Sequence, residues 1–286
     1  MTGTPDWLKE KIQAYYLETT EASYLANWSG HSLGLHFGIG DESTPSLDES
    51  LVNTNVYLAD QMQIGKDARV LDAGCGVGGS SIWLARERGA KVTAITLAPN
   101  QVELGRRFAA ERGVADRVSF ECMDFTKTTF APASFDAVWN IESLCHCLDA
   151  RAYVEHVWDL LADGGRFGCV DLFLGGRGDP AHAKAMCDGW VLPALLTVEA
   201  LADVLRAVGF VDVTTDDLTA KVARSAAALR AMAGNKKLEL RAEKVMLGKE
   251  APIYEGHVDA ALGAVNGMES GSVTYGYVGG VRPPRA

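Results

Sequence analysis

Apolar positions along the chain fall into two periodicities. Residues 5–28 carry them at helical spacing, with Tyr24 and Trp28, four apart, on one face. A Gly-rich aromatic stretch, 30–38, reads as a loop, and 46–62 as a second helix. From residue 69 onward, short apolar runs alternate with helical stretches. Strands are predicted at 69–73, 91–97, 117–122, 135–140 and 166–172. Helices are predicted at 80–88, from Pro99 onward, and at 153–161. Gly89 stops the first of these, Pro99 opens the second where a missing N–H costs nothing, and Gly164-Gly165 turns into the fifth strand. The pattern then loosens: an insertion at 175–193, a helix at 198–208, a strand at 211–216, mainly helix over 218–267, and a last strand at 272–281.

Strand and helix alternating at this spacing predict an α/β fold, a doubly wound, mostly parallel sheet covered on both faces. We expect one domain over 1–286: an N-terminal helical lid (1–62), a ligand-binding core (63–172), and an insert, lid helices and last strands (173–286).

Composition narrows the classes. The formal net charge of -10 and the lack of a basic stripe argue against a nucleic-acid partner. No apolar run approaches membrane-spanning length, and residues 1–10 lack a signal-peptide pattern, so no membrane partner is expected. Six cysteines without framework spacing suit a reduced, cytoplasmic compartment. The pattern leaves a homo-oligomer open.

The first strand ends at Asp72, and Gly74, Gly76 and Gly78 follow at alternate positions. Open α/β sheets bind ligands beyond the carboxyl ends of their strands, where such a loop lets a ligand touch backbone. Gly74, Gly76 and Gly79 also satisfy Gly-x-Gly-x-x-Gly, so a nicotinamide dehydrogenase is a rival. Against it, Asp72 would repel a pyrophosphate but suits an ammonium. The second strand ends in Thr96-Leu97, where a ribose-binding acid would be expected.

The run 70–79, Val-Leu-Asp-Ala-Gly-Cys-Gly-Val-Gly-Gly, resembles the first motif of class I S-adenosylmethionine (SAM)-dependent methyltransferases. The stretch 94–101 is similar to the second-strand motif of the sterol, tocopherol and prenyl-diphosphate C-methyltransferases. The likeness is good over residues 15–170 and loose beyond. It implies a seven-stranded Rossmann-like sheet, SAM as cofactor and S-adenosylhomocysteine as product. It also implies cofactor contacts from Asp72, Gly74, Gly76, Thr96 and Asn140, with Gln101 at the ribose, Asp124 at the adenine amino group and Phe125 near the ring.

Residues 139–146, Trp-Asn-Ile-Glu-Ser-Leu-Cys-His, resemble the acceptor-side segment of the same enzymes and make Glu142 the candidate base. An ordinary acid at a strand end would look the same. An alkene carbon can attack a sulfonium methyl directly, leaving a carbocation that aromatic faces stabilise and a carboxylate deprotonates. The expected acceptor-binding residues are Tyr24, Trp28, His36, Phe37, His146, Trp190 and Tyr277, with Tyr16, Trp139, Tyr275 and His31 as further candidates. A small isoprenoid, a prenyl diphosphate such as isopentenyl or geranyl diphosphate, is the expected acceptor. Mg²⁺ would enter through the diphosphate, with Arg177, Lys184, Lys221, Arg224 and Arg282 as candidate donors. No protein-held metal is expected: Cys145-His146-Cys147 lacks a matching fourth ligand. A small-molecule N- or O-methyltransferase shares every motif up to Phe125, and a SAM-binding regulator without catalysis shares the cofactor motifs.

Overall fold

The structure, a computed structural model, describes residues 3–247 and 251–284. Helix α1 (Asp6–Thr19) runs on as a π-helical segment, Thr20–Trp28. Helix α2 (Leu47–Gln61) begins at Ser46, whose hydroxyl accepts from the Glu49 N–H. Alternation then follows: β1 (Arg69–Ala73), α3 (Gly79–Trp83), β2 (Lys91–Thr96), α4 (Pro99–Glu111), β3 (Val118–Cys122), β4 (Phe135–Ile141), α5 (Ala150–Leu160) and β5 (Leu161–Leu174). Helix α6 (Pro180–Trp190) lies inside the expected insertion. Helix α7 (Val198–Val208), β6 (Val211–Asp217), α8 (Ala223–Leu247), α9 (Pro252–Ser270) and β7 (Val273–Val281) complete the chain.

The seven strands form one sheet in the order β3-β2-β1-β4-β5-β7-β6, the seven-stranded Rossmann-like sheet that was expected. Strands β1 to β5 pair in parallel, and β7 runs antiparallel between β5 and β6. The order reverses between β1 and β4, so their carboxyl ends open the crevice where ligands bind in such sheets. Alternation along β1 sends Val70 to one face, with Leu58, Met62 and Ile82, and Leu71 to the other, with Val138, Val157 and Leu205.

Two boundaries differ from the sequence reading. Strand β5 starts at Leu161, and Gly164 turns inside it: Leu161 pairs with Phe135 and Arg166 with Ala137, so the residues between form a bulge. The insertion is ordered by an N-cap, Asp179 accepting from the Ala181 N–H, and packs against α9. There a Cβ on Gly189 would stand 2.0 Å from the Gly256 carbonyl oxygen. Only glycine permits that approach, which sets Trp190 and His257 on neighbouring walls of one cavity.

Candidate active site

The glycine loop after β1 has little room for side chains. Gly74 takes φ +97°, and a Cβ there would lie 2.3 Å from the Ser143 Cβ. Asp72, 2% exposed, accepts a 2.5 Å hydrogen bond from the Ser81 hydroxyl. Burial pushes its carboxyl up to about 6, against the Ser81 hydrogen bond. A buried carboxylate without a cation is a costly arrangement that a bound ammonium would relieve. Asp72, Gly74, Gly76, Thr96, Gln101 and Phe125 line a cavity of about 80 Å³ beside this loop. The N-terminal segment narrows it. Gln101 accepts from the Thr96 hydroxyl (2.7 Å) and donates to Thr20 (3.1 Å), and Gln13 donates to the Leu97 carbonyl (2.9 Å).

Two expected cofactor contacts stand outside the cavity walls. Asp124 is taken up by Thr4, which donates through its N–H (2.9 Å) and hydroxyl (3.0 Å), by Thr126, and by Lys9 at 3.3 Å. Asn140 is buried and donates to the Ala73 carbonyl (2.8 Å) and to Ser143 (2.9 Å), while accepting from the Tyr153 hydroxyl (2.7 Å). These bonds tie the ends of β1 and β4 together.

A second cavity, of about 350 Å³, adjoins the first, and both share Tyr16, Leu35, His36, Glu142 and His146. Glu142 occupies this junction because β4 ends there. It takes φ +46°, an unusual conformation for a residue with a side chain, while its N–H donates to the Val170 carbonyl at 2.9 Å. Its carboxylate accepts from the Phe37 N–H at 2.5 Å, and its remaining accessible surface faces the cavities. Burial pushes this carboxyl up to about 8; the Phe37 N–H opposes the rise and nearby Asp171 adds to it. Asp171 is itself buried and raised to about 6, although the N–H groups of Leu172 and Cys145 donate to it.

The histidines at the junction are neutral. Burial lowers His36 and His146 to about 4. His146 must carry its proton on Nδ1, which donates to the Val191 carbonyl (3.2 Å), so Nε2 accepts from the Tyr16 hydroxyl (3.1 Å). His36 Nδ1 donates to the Phe37 carbonyl (2.9 Å), and the Trp28 indole donates to the His36 carbonyl (3.1 Å). Of the expected acceptor residues, Tyr24, Trp28, His36, Phe37, His146 and Trp190 line the larger cavity. His31 is exposed and lies outside both, and Trp139 is buried in the core.

Tyr277 is a correction. It packs against Tyr57 at 5.8 Å, outside both cavities. Tyr275 and Tyr277 share a face, but β7 is antiparallel: Tyr275 pairs with Leu172 near the cleft, and Tyr277 with Val170, deeper under the sheet. Tyr275 is the tyrosine beside Glu142; burial and that carboxylate push its hydroxyl well above the usual range.

The candidate phosphate donors are also elsewhere. Lys184 pairs with Asp188 (2.5 Å) and Lys221 with Asp216 (3.1 Å). Arg224 donates to carbonyls of the 41–45 loop, and Arg282 to the Leu161 carbonyl. Arg177 follows the end of β5 beside Gly271. Among the described residues, the cation that does line the larger cavity is Lys236, ion-paired at 3.0 Å with Glu239 on the same wall. Ser23, Tyr254 and His257 also line it, and no periodicity pointed to them. Among the described residues no helix is long and apolar enough to cross a membrane, and no group of three or more His, Cys, Asp or Glu could hold a metal ion.

Residues 70–165 match a family described as a methyltransferase domain. Over 238 residues, 77% of this chain, it is 30% identical to a "Probable tocopherol O-methyltransferase, chloroplastic" of Oryza sativa subsp. japonica and covers 64% of that protein. It is 27% identical to the sarcosine/dimethylglycine N-methyltransferase of Halorhodospira halochloris, covering 92% of each chain. The geranyl diphosphate C-methyltransferase of Streptomyces coelicolor A3(2), solved with Mg²⁺, geranyl-S-thiolodiphosphate and S-adenosyl-L-homocysteine, superposes with a TM-score of 0.74. It is 19% identical, with 98% of this chain and 100% of that one covered. The (4+2)-cyclase SpnF superposes at 0.79, with 21% identity and 100% of both chains covered. At such identities the structural likenesses show the fold alone. The chain spans 56–66% of the length of three of the curated relatives it matches.

Proposed function

We propose that this chain, a class I methyltransferase fold with its methyltransferase domain at residues 70–165, transfers a methyl group from SAM to an alkene carbon of a small isoprenoid. The observation that carries the reading is the junction: the glycine-loop cavity and the larger aromatic cavity meet at Glu142. The residues present fit the cofactor. Asp72, buried without a cation, suits the ammonium of its methionine end; Gly74 and Gly76 leave backbone accessible; Thr96, Gln101 and Phe125 line the rest. The Gln101 amide would exchange its bond to Thr20 for a ribose hydroxyl, and Asp124 would exchange Thr4 for the adenine amino group.

When bound, SAM supplies an electrophilic methyl on a sulfonium leaving group. The chain's residues orient the acceptor and handle the proton. The alkene π pair forms the new carbon–carbon bond as the sulfur–methyl bond breaks, leaving the positive charge on the acceptor. Aromatic faces at the cavity, Tyr16, Trp28 and Phe37, favour that charge by about 0.5–2 kcal/mol each. The Glu142 carboxylate takes a proton from the adjacent carbon, and the released C–H pair restores a double bond. A carboxyl raised to about 8 is mostly protonated at neutral pH, and a cation beside it favours the ionised form the step requires.

A second reading, O- or N-methylation, is favoured by one contact. Neutral His146 presents its Nε2 lone pair to the Tyr16 hydroxyl at the same junction, an arrangement able to take a proton from a heteroatom. Methyl-labelled SAM distinguishes the readings when incubated with prenyl diphosphates, with and without Mg²⁺, and with the corresponding alcohols. Label in a new carbon–carbon bond supports C-methylation, and label on oxygen or nitrogen overturns it.

A further inference from the structure

Four side chains that the methyl-transfer scheme leaves unused form a continuous hydrogen-bonded chain in the larger cavity. His257 on α9 is 6% exposed, and burial lowers it to about 4, so its ring is neutral. Its Nδ1 lies 2.6 Å from the Tyr15 hydroxyl and its Nε2 lies 2.8 Å from the Ser23 hydroxyl. The Tyr15 hydroxyl lies 3.1 Å from that of Tyr24. Ser23, Tyr24 and His257 line the larger cavity and not the smaller, so the chain stands away from the junction.

Counting protons fixes what this chain can offer. Three hydroxyls and a neutral imidazole bring one proton each, and the three contacts use one each. One proton is left over, and it falls at an end whenever the buried Tyr15 hydroxyl donates as well as accepts. If Tyr15 donates to Nδ1, then Tyr24 donates to Tyr15, Nε2–H donates to Ser23, and the Ser23 proton is free. If Nδ1–H donates to Tyr15, then Tyr15 donates to Tyr24, Ser23 donates to Nε2, and the Tyr24 proton is free. Both ends belong to residues of the cavity wall. The result is one uncharged donor in a wall whose lysine, Lys236, is already paired with Glu239. A neutral donor suits an ether, hydroxyl or carbonyl oxygen; a diphosphate needs charge-assisted donors.

We propose that Ser23, His257, Tyr15 and Tyr24 form a binding subsite for an uncharged oxygen of the acceptor, remote from its reacting carbon, so that the acceptor is an oxygenated, unphosphorylated isoprenoid. The proposal rests on the larger cavity being the acceptor site. The test follows tryptophan fluorescence, since Trp28 and Trp190 line the cavity. The full chain is titrated with geraniol and farnesol, with the hydrocarbons myrcene and farnesene, and with geranyl and farnesyl diphosphates plus Mg²⁺. At least one alcohol binds about tenfold or more tighter than its hydrocarbon, equivalent to about 1.4 kcal/mol, and tighter than its diphosphate. Ser23→Ala and Tyr24→Phe each keep most of that ratio, because the other end still offers its proton. Adding His257→Phe to both, which removes the Nε2–H that the double variant would still present to the cavity, brings it to within about twofold without changing hydrocarbon or SAM affinity, a pattern a purely structural role would not produce. Diphosphates binding tighter than alcohols, a ratio that survives the triple variant, or no binding of any probe overturns the subsite. Loss of SAM binding by the unaltered chain would instead overturn the methyl-transfer reading.

Discussion

Glu142→Gln separates the cost of burying this carboxyl from its use. The amide keeps an oxygen for the Phe37 N–H, which now donates across 2.5 Å, so the local backbone stays held. What disappears is a group that ionises only near pH 8 in the fold but near 4.5 when exposed. Below 4.5 both states are protonated and the substitution changes little. From there each pH unit costs the native fold about 1.4 kcal/mol, rising to a plateau above about 8. At pH 7 that bookkeeping gives on the order of 3 kcal/mol, which solvent on the cavity face trims to about 1–2 kcal/mol. The variant should therefore melt a few degrees above the parent at pH 8, with the gain vanishing by pH 4.5. Turnover should fall by about 10²–10⁴-fold, the contribution of a positioned acid–base group, with SAM affinity retained. In the parent, kcat/KM should rise with pH toward about 8 as the carboxylate forms. Thermal melts across this pH range beside a labelled-methyl assay measure both. Parental turnover would refute the base assignment, and a melting difference independent of pH would refute the buried-charge argument.

Three further outcomes follow from the same geometry. Gly74→Ala forces a Cβ onto Ser143 at a positive φ, so stability falls by about 1–3 kcal/mol and SAM affinity by about tenfold or more, read by melting and calorimetry. Asp72→Asn removes the carboxylate proposed for the cofactor ammonium; SAM affinity falls about tenfold while the melting temperature holds or rises, since a buried charge is gone. Tyr153→Phe leaves the Asn140 side-chain oxygen without its donor and costs about 1–3 kcal/mol, yet shifts SAM affinity by no more than about threefold, because Asn140 stands outside the walls of the cofactor cavity.

The core was legible because its signals are local. Strand-length apolar runs, Pro99 at a helix start and glycines after Asp72 each report on a few adjacent residues, and the sheet follows from their alternation. Legibility fails where a distant segment supplies the partner. Nothing around Met123-Asp124-Phe125 announces that Thr4 occupies Asp124, and nothing around Asn140 shows that Tyr153 saturates it. The choice between Tyr275 and Tyr277 turned on strand direction. The two share a period-2 face, and only the antiparallel pairing with β5 decides which stands beside Glu142.

The acceptor side shows the same limit in a stronger form, and it bears on what the likenesses can carry. Its wall is assembled from 16–37, from 142–146 and from helices α6, α8 and α9, segments more than 200 residues apart in the case of Ser23 and His257. The cofactor loop is continuous in sequence, so a resemblance found there transfers the loop's chemistry. It transfers nothing about a wall built from elsewhere. Relatives and neighbours sharing the fold are named for oxygen, nitrogen and carbon acceptors, and one for a cyclisation. A prenyl diphosphate was the expectation the motifs carried, and the cations it required turned out to be paired or elsewhere on the molecule. The acceptor is therefore to be read from the wall itself: aromatic faces, one raised carboxyl at the junction, neutral histidines, and a hydroxyl chain with one proton to give.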